Sequence, residues 1–211
     1  MKRLLVIIFS ILFLTGVARA EYKFGFSVMA GQLSTDGTES EKSGLVGPET
    51  NSKSIDETFM GASLFVEYIM DSGITIGLDY VPLDLELGSG KRTDSTSDGN
   101  ESTDDSGTYS ASADVTDLMT LYVNYPLGTG GYYGSLGAHQ ATVTTSETLP
   151  NSTYGNDDIY GVLVGLGYKS GPMKLEVAYS DFETIGVSSS SGSSSVSADA
   201  DALNFKIAYS F

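Results

Sequence analysis

Among 211 residues, one histidine, His139, is the side chain whose ordinary chemistry suits proton transfer near neutrality. A hydrolytic site would need a nucleophile and a carboxylate arranged around it. The chain has no cysteine, which removes a thiol nucleophile, a thiolate metal site, a disulfide framework and a lipid-modified N-terminus. Carboxylates are plentiful but patterned for solvent. Asp36, Glu39, Glu41, Glu49, Asp56 and Glu57 crowd one polar stretch, and Asp94, Asp98, Glu101, Asp104 and Asp105 crowd another. Calcium favours such oxygen ligands, yet Asp98-Gly99-Asn100-Glu101-Ser102-Thr103-Asp104 lacks the glycine at position six and the bidentate acid at position twelve of an EF-hand loop. These stretches read as solvated acidic loops, with no resident metal or cofactor. With 27 acidic residues against 11 basic, nucleic acid is excluded as a partner, because nothing here neutralises a phosphate backbone.

The remaining charges sit inside alternating segments, so the segments decide what they do. Apolar residues recur with period two in eight runs: Tyr22 to Ala30, Met60 to Tyr68, Ile74 to Tyr80, Met119 to Tyr125, Tyr132 to Ala138, Tyr160 to Tyr168, Met173 to Tyr179 and Leu203 to Phe211. No interval between them reads as an amphipathic helix. Ahead of them, Met1-Lys2-Arg3, the apolar run Leu4 to Leu14 and Ala18-Arg19-Ala20 predict a secretory signal over residues 1–20, cleaved after Ala20. Cleavage would leave 8 basic and 27 acidic residues in 21–211, a net charge of −19. No later run approaches the ~18 apolar residues of a membrane-spanning helix, so membrane entry would require a barrel.

The connections alternate strictly in length. Asp71-Ser72-Gly73, Pro126 to Gly130 and Ser170-Gly171-Pro172 are tight turns. About Thr35 to Glu57, Leu87 to Thr108, Ser146 to Asn156 and Ile185 to Ser195 read as long polar loops, and the serine tract Ser188 to Ser195, broken only by Gly192, reads as mobile. This predicts an all-β fold, an eight-stranded antiparallel up-and-down transmembrane β-barrel with short periplasmic turns and long extracellular loops.

Two features place the apolar face outside, against lipid. Tyr22, Tyr68, Tyr125, Tyr132, Tyr168 and Phe211 share parity and height at the short-turn end, as an aromatic girdle requires. The opposite face carries Lys23, Glu67, Asp79, Glu176 and Lys206 among small residues. The interior of an eight-stranded barrel is just wide enough for side chains to fill, so these five are expected to form a mutually compensating charge network in the lumen, near the short turns.

The last strand, Ala202-Leu203-Asn204-Phe205-Lys206-Ile207-Ala208-Tyr209-Ser210-Phe211, resembles the C-terminal assembly signal of bacterial outer-membrane proteins, with Phe205, Ile207, Tyr209 and Phe211 as its alternating residues. Residues 21–211 as a whole resemble the small eight-stranded outer-membrane barrels typified by the OmpA transmembrane domain and OmpX. That resemblance implies a Gram-negative outer-membrane location, recognition by the barrel-assembly machinery, and contact with outer-membrane lipid and lipopolysaccharide, with divalent cations as bridges. Some small barrels of this kind are enzymes. In the lipid A deacylase family a Ser nucleophile follows the His by two residues, and here that position is Ala141. The expectation is a monomeric, non-enzymatic barrel of structural or surface-interaction type presenting acidic loops to an extracellular ligand of unknown identity. The alternatives are a narrow porin-like channel for water or small ions and a soluble periplasmic barrel binding an apolar ligand.

Overall fold

The computed structural model describes residues 21–41, 49–94, 107–148, 153–190 and 194–211. The signal segment lies outside them, as do Asp98, Glu101, Asp104 and Asp105. The described residues form ten strands: β1 (Glu21–Glu41), β2 (Glu49–Ile69), β3 (Thr75–Tyr80), β4 (Leu85–Asp94), β5 (Gly107–Pro126), β6 (Tyr132–Glu147), β7 (Asp157–Ser170), β8 (Met173–Phe182), β9 (Ile185–Ser188) and β10 (Ser194–Ser210). They make eight staves, because β4 continues β3 alongside β5, and β9 continues β8 alongside β10. Each stave pairs antiparallel with its sequence neighbour, and β1 pairs with β10 over a register running from Gly25↔Ser210 to Glu41↔Ser194. The sheet closes on itself.

The break between β3 and β4 falls at Val81-Pro82-Leu83-Asp84. Proline has no N–H for the ladder, and the β2 register stops at Leu64↔Tyr80. On β5 the register shifts between Thr116 and Met119, where Asp117 takes a left-handed φ of 53°. That bulge exchanges the faces: Val115 points inward with 6% exposure, whereas Leu121, an even number of residues further on, points outward with 44%.

The alternation read from sequence is borne out with the apolar face outward. Phe24, Leu64, Leu136, Val162, Leu166 and Leu203 stand exposed around the wall. A continuous apolar belt of this extent has no counterpart on water-soluble monomers, whose apolar patches reach only a few hundred Å².

The long connections are corrected. β1 and β2 have 21 residues each, about twice the ~9–11 a strand needs to cross a bilayer. Most of the described residues in the stretches read as polar loops are ladder, because a Ser- or Thr-rich strand pairs its backbone donors and acceptors when a neighbour is in register. The two ends of the serine tract behave likewise, while its middle, residues 191–193, lies outside the described residues. Ser188 pairs with Ser195, Ser189 is buried, and the Ser194 amide donates to Ser189 Oγ at 3.0 Å.

These extensions have their own core. Leu33, Val81, Leu85, Leu87, Val143 and Ile159 belong to an inward-facing apolar cluster in the long-hairpin half. Leu87, assigned to a solvated loop from sequence, is 5% exposed. Leu87→Ala is expected to cost about 2–4 kcal/mol in urea unfolding from lipid vesicles. Leu83→Ala, at an exposed position of the β3–β4 break, should stay within about 0.5 kcal/mol of the parent.

Candidate functional site

Inward side chains fill the short-turn half of the bore with charge. Lys174 Nζ is in direct contact with Glu67 Oε1, both almost fully buried. Lys206 Nζ lies 3.2 Å from Asp79 Oδ2. Both pairs cross the lumen, β8 to β2 and β10 to β3, so they tie opposite walls rather than adjacent staves. Hydroxyl groups complete the layer. Tyr122 donates to Glu67 Oε1 at 2.8 Å, Ser63 donates to Asp79 Oδ2 at 2.9 Å, and the Ser27 and Ser63 hydroxyls are hydrogen-bonded at 2.7 Å. Glu67 Oε2 and Asn124 Oδ1 are buried without partners.

Two arrangements in this layer mirror each other. Tyr122 on β5 lies across Gly77 on β3 to reach Glu67 on β2, and Tyr133 on β6 lies across Gly167 on β7, beside the stave that carries Glu176. A Cβ on Gly77 would sit 2.2 Å from Tyr122 Cζ, and one on Gly167 would sit 2.1 Å from Tyr133 Cζ. Each glycine is therefore the groove in which a tyrosine crosses a stave, and Tyr122 uses it to grip a carboxylate on the next.

Four of the five charges expected in the lumen are brought together: Glu67, Asp79, Glu176 and Lys206. Lys206 is the register partner of Glu176, yet its ammonium reaches across to Asp79. Lys23 is the exception. It stands opposite Glu67 in register, but its ion pair is with the exposed Glu21, at 3.4 Å. It sits at the mouth, where a long side chain reaches water, and Lys174 takes its place. Sequence reasoning passed over Lys174, although it shares inward parity with Glu176. The signal was the alternation of β8, where Lys174, Glu176, Ala178 and Ser180 face in while Met173, Leu175, Val177 and Tyr179 face out.

His139 marks the upper edge of the polar layer. Its Nδ1 lies 2.8 Å from Thr120 Oγ1 and its Nε2 lies 2.9 Å from Ser180 Oγ, with Phe182 stacked on the ring at 5.2 Å. No carboxylate touches it among these contacts. Among the described residues, no three His, Asp or Glu side chains gather as a metal site.

At the short-turn end, Tyr22 faces Tyr68 and Tyr132 faces Tyr168 in register, with ring centroids 5.2 and 5.1 Å apart. Tyr125 and Phe211 project outward at 60% and 73% exposure. The Phe211 ring lies 5.3 Å from Tyr209 and 6.2 Å from Phe26, and its amide donates to the Phe24 carbonyl at 2.8 Å. Phe205, Ile207 and Tyr209 stand on the same outer face.

At the opposite end, acids oppose acids. Asp36 pairs with Asp199, Asp181 with Asp201, and Glu86 with Asp114 across neighbouring strands. Burial and then the nearby Glu86 and Asp84 carboxylates hold Asp114 above the ordinary carboxylate range.

A closed eight-stave ring, an apolar belt facing outward and a charged, filled bore define a transmembrane β-barrel of the outer-membrane type. Comparison with solved structures finds similar proteins. The outer-membrane protein OprG from Pseudomonas aeruginosa is similar with a TM-score of 0.50 at 12% identity, over 89% of this chain and 96% of that one. Neisserial surface protein A is similar with a TM-score of 0.38 at 14% identity, over 88% and 97%. The outer-membrane protease OmpT from Escherichia coli is similar with a TM-score of 0.42 at 12% identity, over 90% and 97%. At these identities the likeness is one of fold. No protein-family model and no curated protein matches the sequence.

Proposed function

We propose that the protein is a monomeric, non-enzymatic anchor of the Gram-negative outer membrane, exported by a cleaved signal over residues 1–20, whose closed barrel holds an acidic rim above the lipid. One observation carries this reading: the two cross-lumen ion pairs, with Tyr122 and Tyr133 laid over them, occupy the short-turn half of the bore. A water-filled pore needs that section empty. The experiment is single-channel recording in planar bilayers. The parent should show no steady conductance, and the combined Glu67→Ala/Tyr122→Ala/Lys174→Ala variant should conduct. Steady ohmic steps in the parent would favour the channel instead. Protease treatment of intact cells would show whether the long hairpins face outward.

Like charges directly opposite each other on neighbouring strands destabilise a sheet. The Asp36–Asp199, Asp181–Asp201 and Glu86–Asp114 pairs therefore favour counterions at the rim, and divalent cations bridging these acids to lipopolysaccharide phosphates suit that chemistry.

In the same reading, Phe211 with Phe205, Ile207 and Tyr209 is the signal presented to the barrel-assembly machinery. Deleting Phe211 removes one exposed ring and one backbone hydrogen bond at the end of β10. Outer-membrane yield in cells should fall severalfold, while refolding into detergent micelles should change little. Normal yield in cells would sink the assembly role.

A further inference from the structure

Above the ion pairs the wall is no longer one closed ladder. β3 ends at Tyr80 and β8 at Phe182, and the strands that continue them pair on one side only, β4 with β5 and β9 with β10. The long-hairpin half therefore consists of two four-stranded sheets, β9-β10-β1-β2 and β4-β5-β6-β7. Leu33 and Ala200 of the first share one apolar cluster with Leu87, Val115, Val143 and Ile159 of the second. The sheets meet along two seams, β7 beside β9 and β2 beside β4.

The seams are built differently. Along β7 and β9 the Glu183 amide donates to the Tyr160 carbonyl at 2.8 Å, and the Tyr160 amide donates to Glu183 Oε1 at 2.9 Å. The Gly186 amide donates to Asp157 Oδ2 at 2.8 Å. Further up, the Ser190 amide donates to the Thr153 carbonyl at 2.7 Å, Tyr154 bridges to Ser189, and the Tyr154 hydroxyl donates to Glu39 Oε1 on β1 at 3.1 Å. Among the described residues, no hydrogen bond or ion pair joins β2 to β4. Their contact is apolar and reciprocal. A Cβ on Gly88 of β4 would lie 3.3 Å from Ile55 Cδ1 of β2, and a Cβ on Gly61 of β2 would lie 3.3 Å from Leu85 Cδ2 of β4.

Unpaired backbone groups on a strand edge above the lipid are met by water whether the seam is shut or parted. Separating β2 from β4 forfeits those apolar contacts and no ladder hydrogen bond. Separating β7 from β9 breaks every hydrogen bond just named along that seam. We propose that the two sheets form a clasp that opens along β2 and β4, with the β7–β9 seam as its hinge. The chain bends at the stave breaks, residues 81–84 and 183–184, where Pro82 removes a ladder donor. Opening bares Leu85 and Leu87 on the inner face of β4 at the long-hairpin end. Both ion pairs lie below the breaks and stay made, so the clasp goes beyond the closed-anchor reading and leaves the bore plugged.

The chain has no cysteine, so spin labels can be placed in pairs on the folded barrel in lipid nanodiscs. Ser54→Cys with Ser89→Cys spans the free seam, and Asp158→Cys with Ser188→Cys spans the hinge; all four positions are exposed. Double electron–electron resonance should give two populations, short and long, across the free seam and a single narrow one across the hinge. Ile55→Ser removes an apolar contact of the free seam and should raise the long population severalfold. The hinge distance should not move in that variant, which also reports that its fold is intact. A single short population across the free seam in the parent would overturn the proposal, as would populations that Ile55→Ser leaves unchanged. Equal broadening at both seams would overturn it too, because the hairpins would then flex with no hinge.

Discussion

Lys174→Met should be the most damaging single charge removal in the barrel, costing about 3–5 kcal/mol in urea unfolding from lipid vesicles. Its side chain is 7% exposed and that of its partner Glu67 1% exposed, so deleting the base strands a carboxylate almost closed to water. Lys174 also lies 4.2 Å from the centroid of the Phe65 ring, and that cation–π attraction disappears with the charge. Adding Glu67→Gln should recover a substantial part of the loss, because the amide carries no stranded charge and still accepts from Tyr122. Lys206→Met should cost less, about 1–3 kcal/mol, since its pair with Asp79 is longer and its side chain more open to water. Lys53→Met, at an exposed position of β2, should be neutral. Equal stability for Lys174→Met and Lys53→Met, with no coupling to Glu67, would mean that the lumen is hydrated and would return weight to a conducting pore.

The second large effect belongs to a residue with no side chain. Gly77→Ala places a methyl group 2.2 Å from Tyr122 Cζ, nearer than two carbon atoms can approach, so Tyr122 must leave its groove and release Glu67. Overpacking costs about 1–3 kcal/mol, and a hydrogen bond to a charged group is worth about 1.5–3 kcal/mol. A combined loss of about 3 kcal/mol is expected, because partial relaxation keeps the two costs from adding in full. Gly134→Ala is the control, since nothing lies within 4 Å of its added Cβ. The mechanism has its own check. In a Tyr122→Phe background the hydroxyl no longer reaches Glu67, so Gly77→Ala should cost clearly less than in the parent. Additive losses would show that Tyr122 does not transmit the effect to Glu67. Gly167→Ala should also destabilise, by about 1–3 kcal/mol, because its methyl group would sit 2.1 Å from Tyr133 Cζ.

Local pattern along the chain was enough to read the eight staves, the three tight turns, the outward apolar face and the end of the barrel at which the charges sit. Period-two alternation assigns a face to every residue of a strand, and Gly or Pro in a short polar interval marks a turn. The inward parity of Glu67, Asp79, Glu176 and Lys206 was legible on the same grounds, and so was that of His139. Which charges meet depends instead on closure of the sheet. Adjacent-strand reasoning pairs Lys23 with Glu67 and Lys206 with Glu176, as the register indeed does. The ammonium groups bridge the lumen, Lys174 to Glu67 and Lys206 to Asp79, because a long side chain spans a narrow bore and the facing wall lies within its reach. The height of the barrel was likewise hidden. Ser- and Thr-rich segments carry no apolar alternation to announce a strand, and only an in-register neighbour, as in Ser188↔Ser195, makes one of them. The apolar upper lumen was concealed by changes of parity. The bulge at Asp117 and the break at Glu183-Thr184 exchange inward and outward faces, so Val115, Ile185 and Val187 turn inward where a constant period places them on the opposite side of the wall.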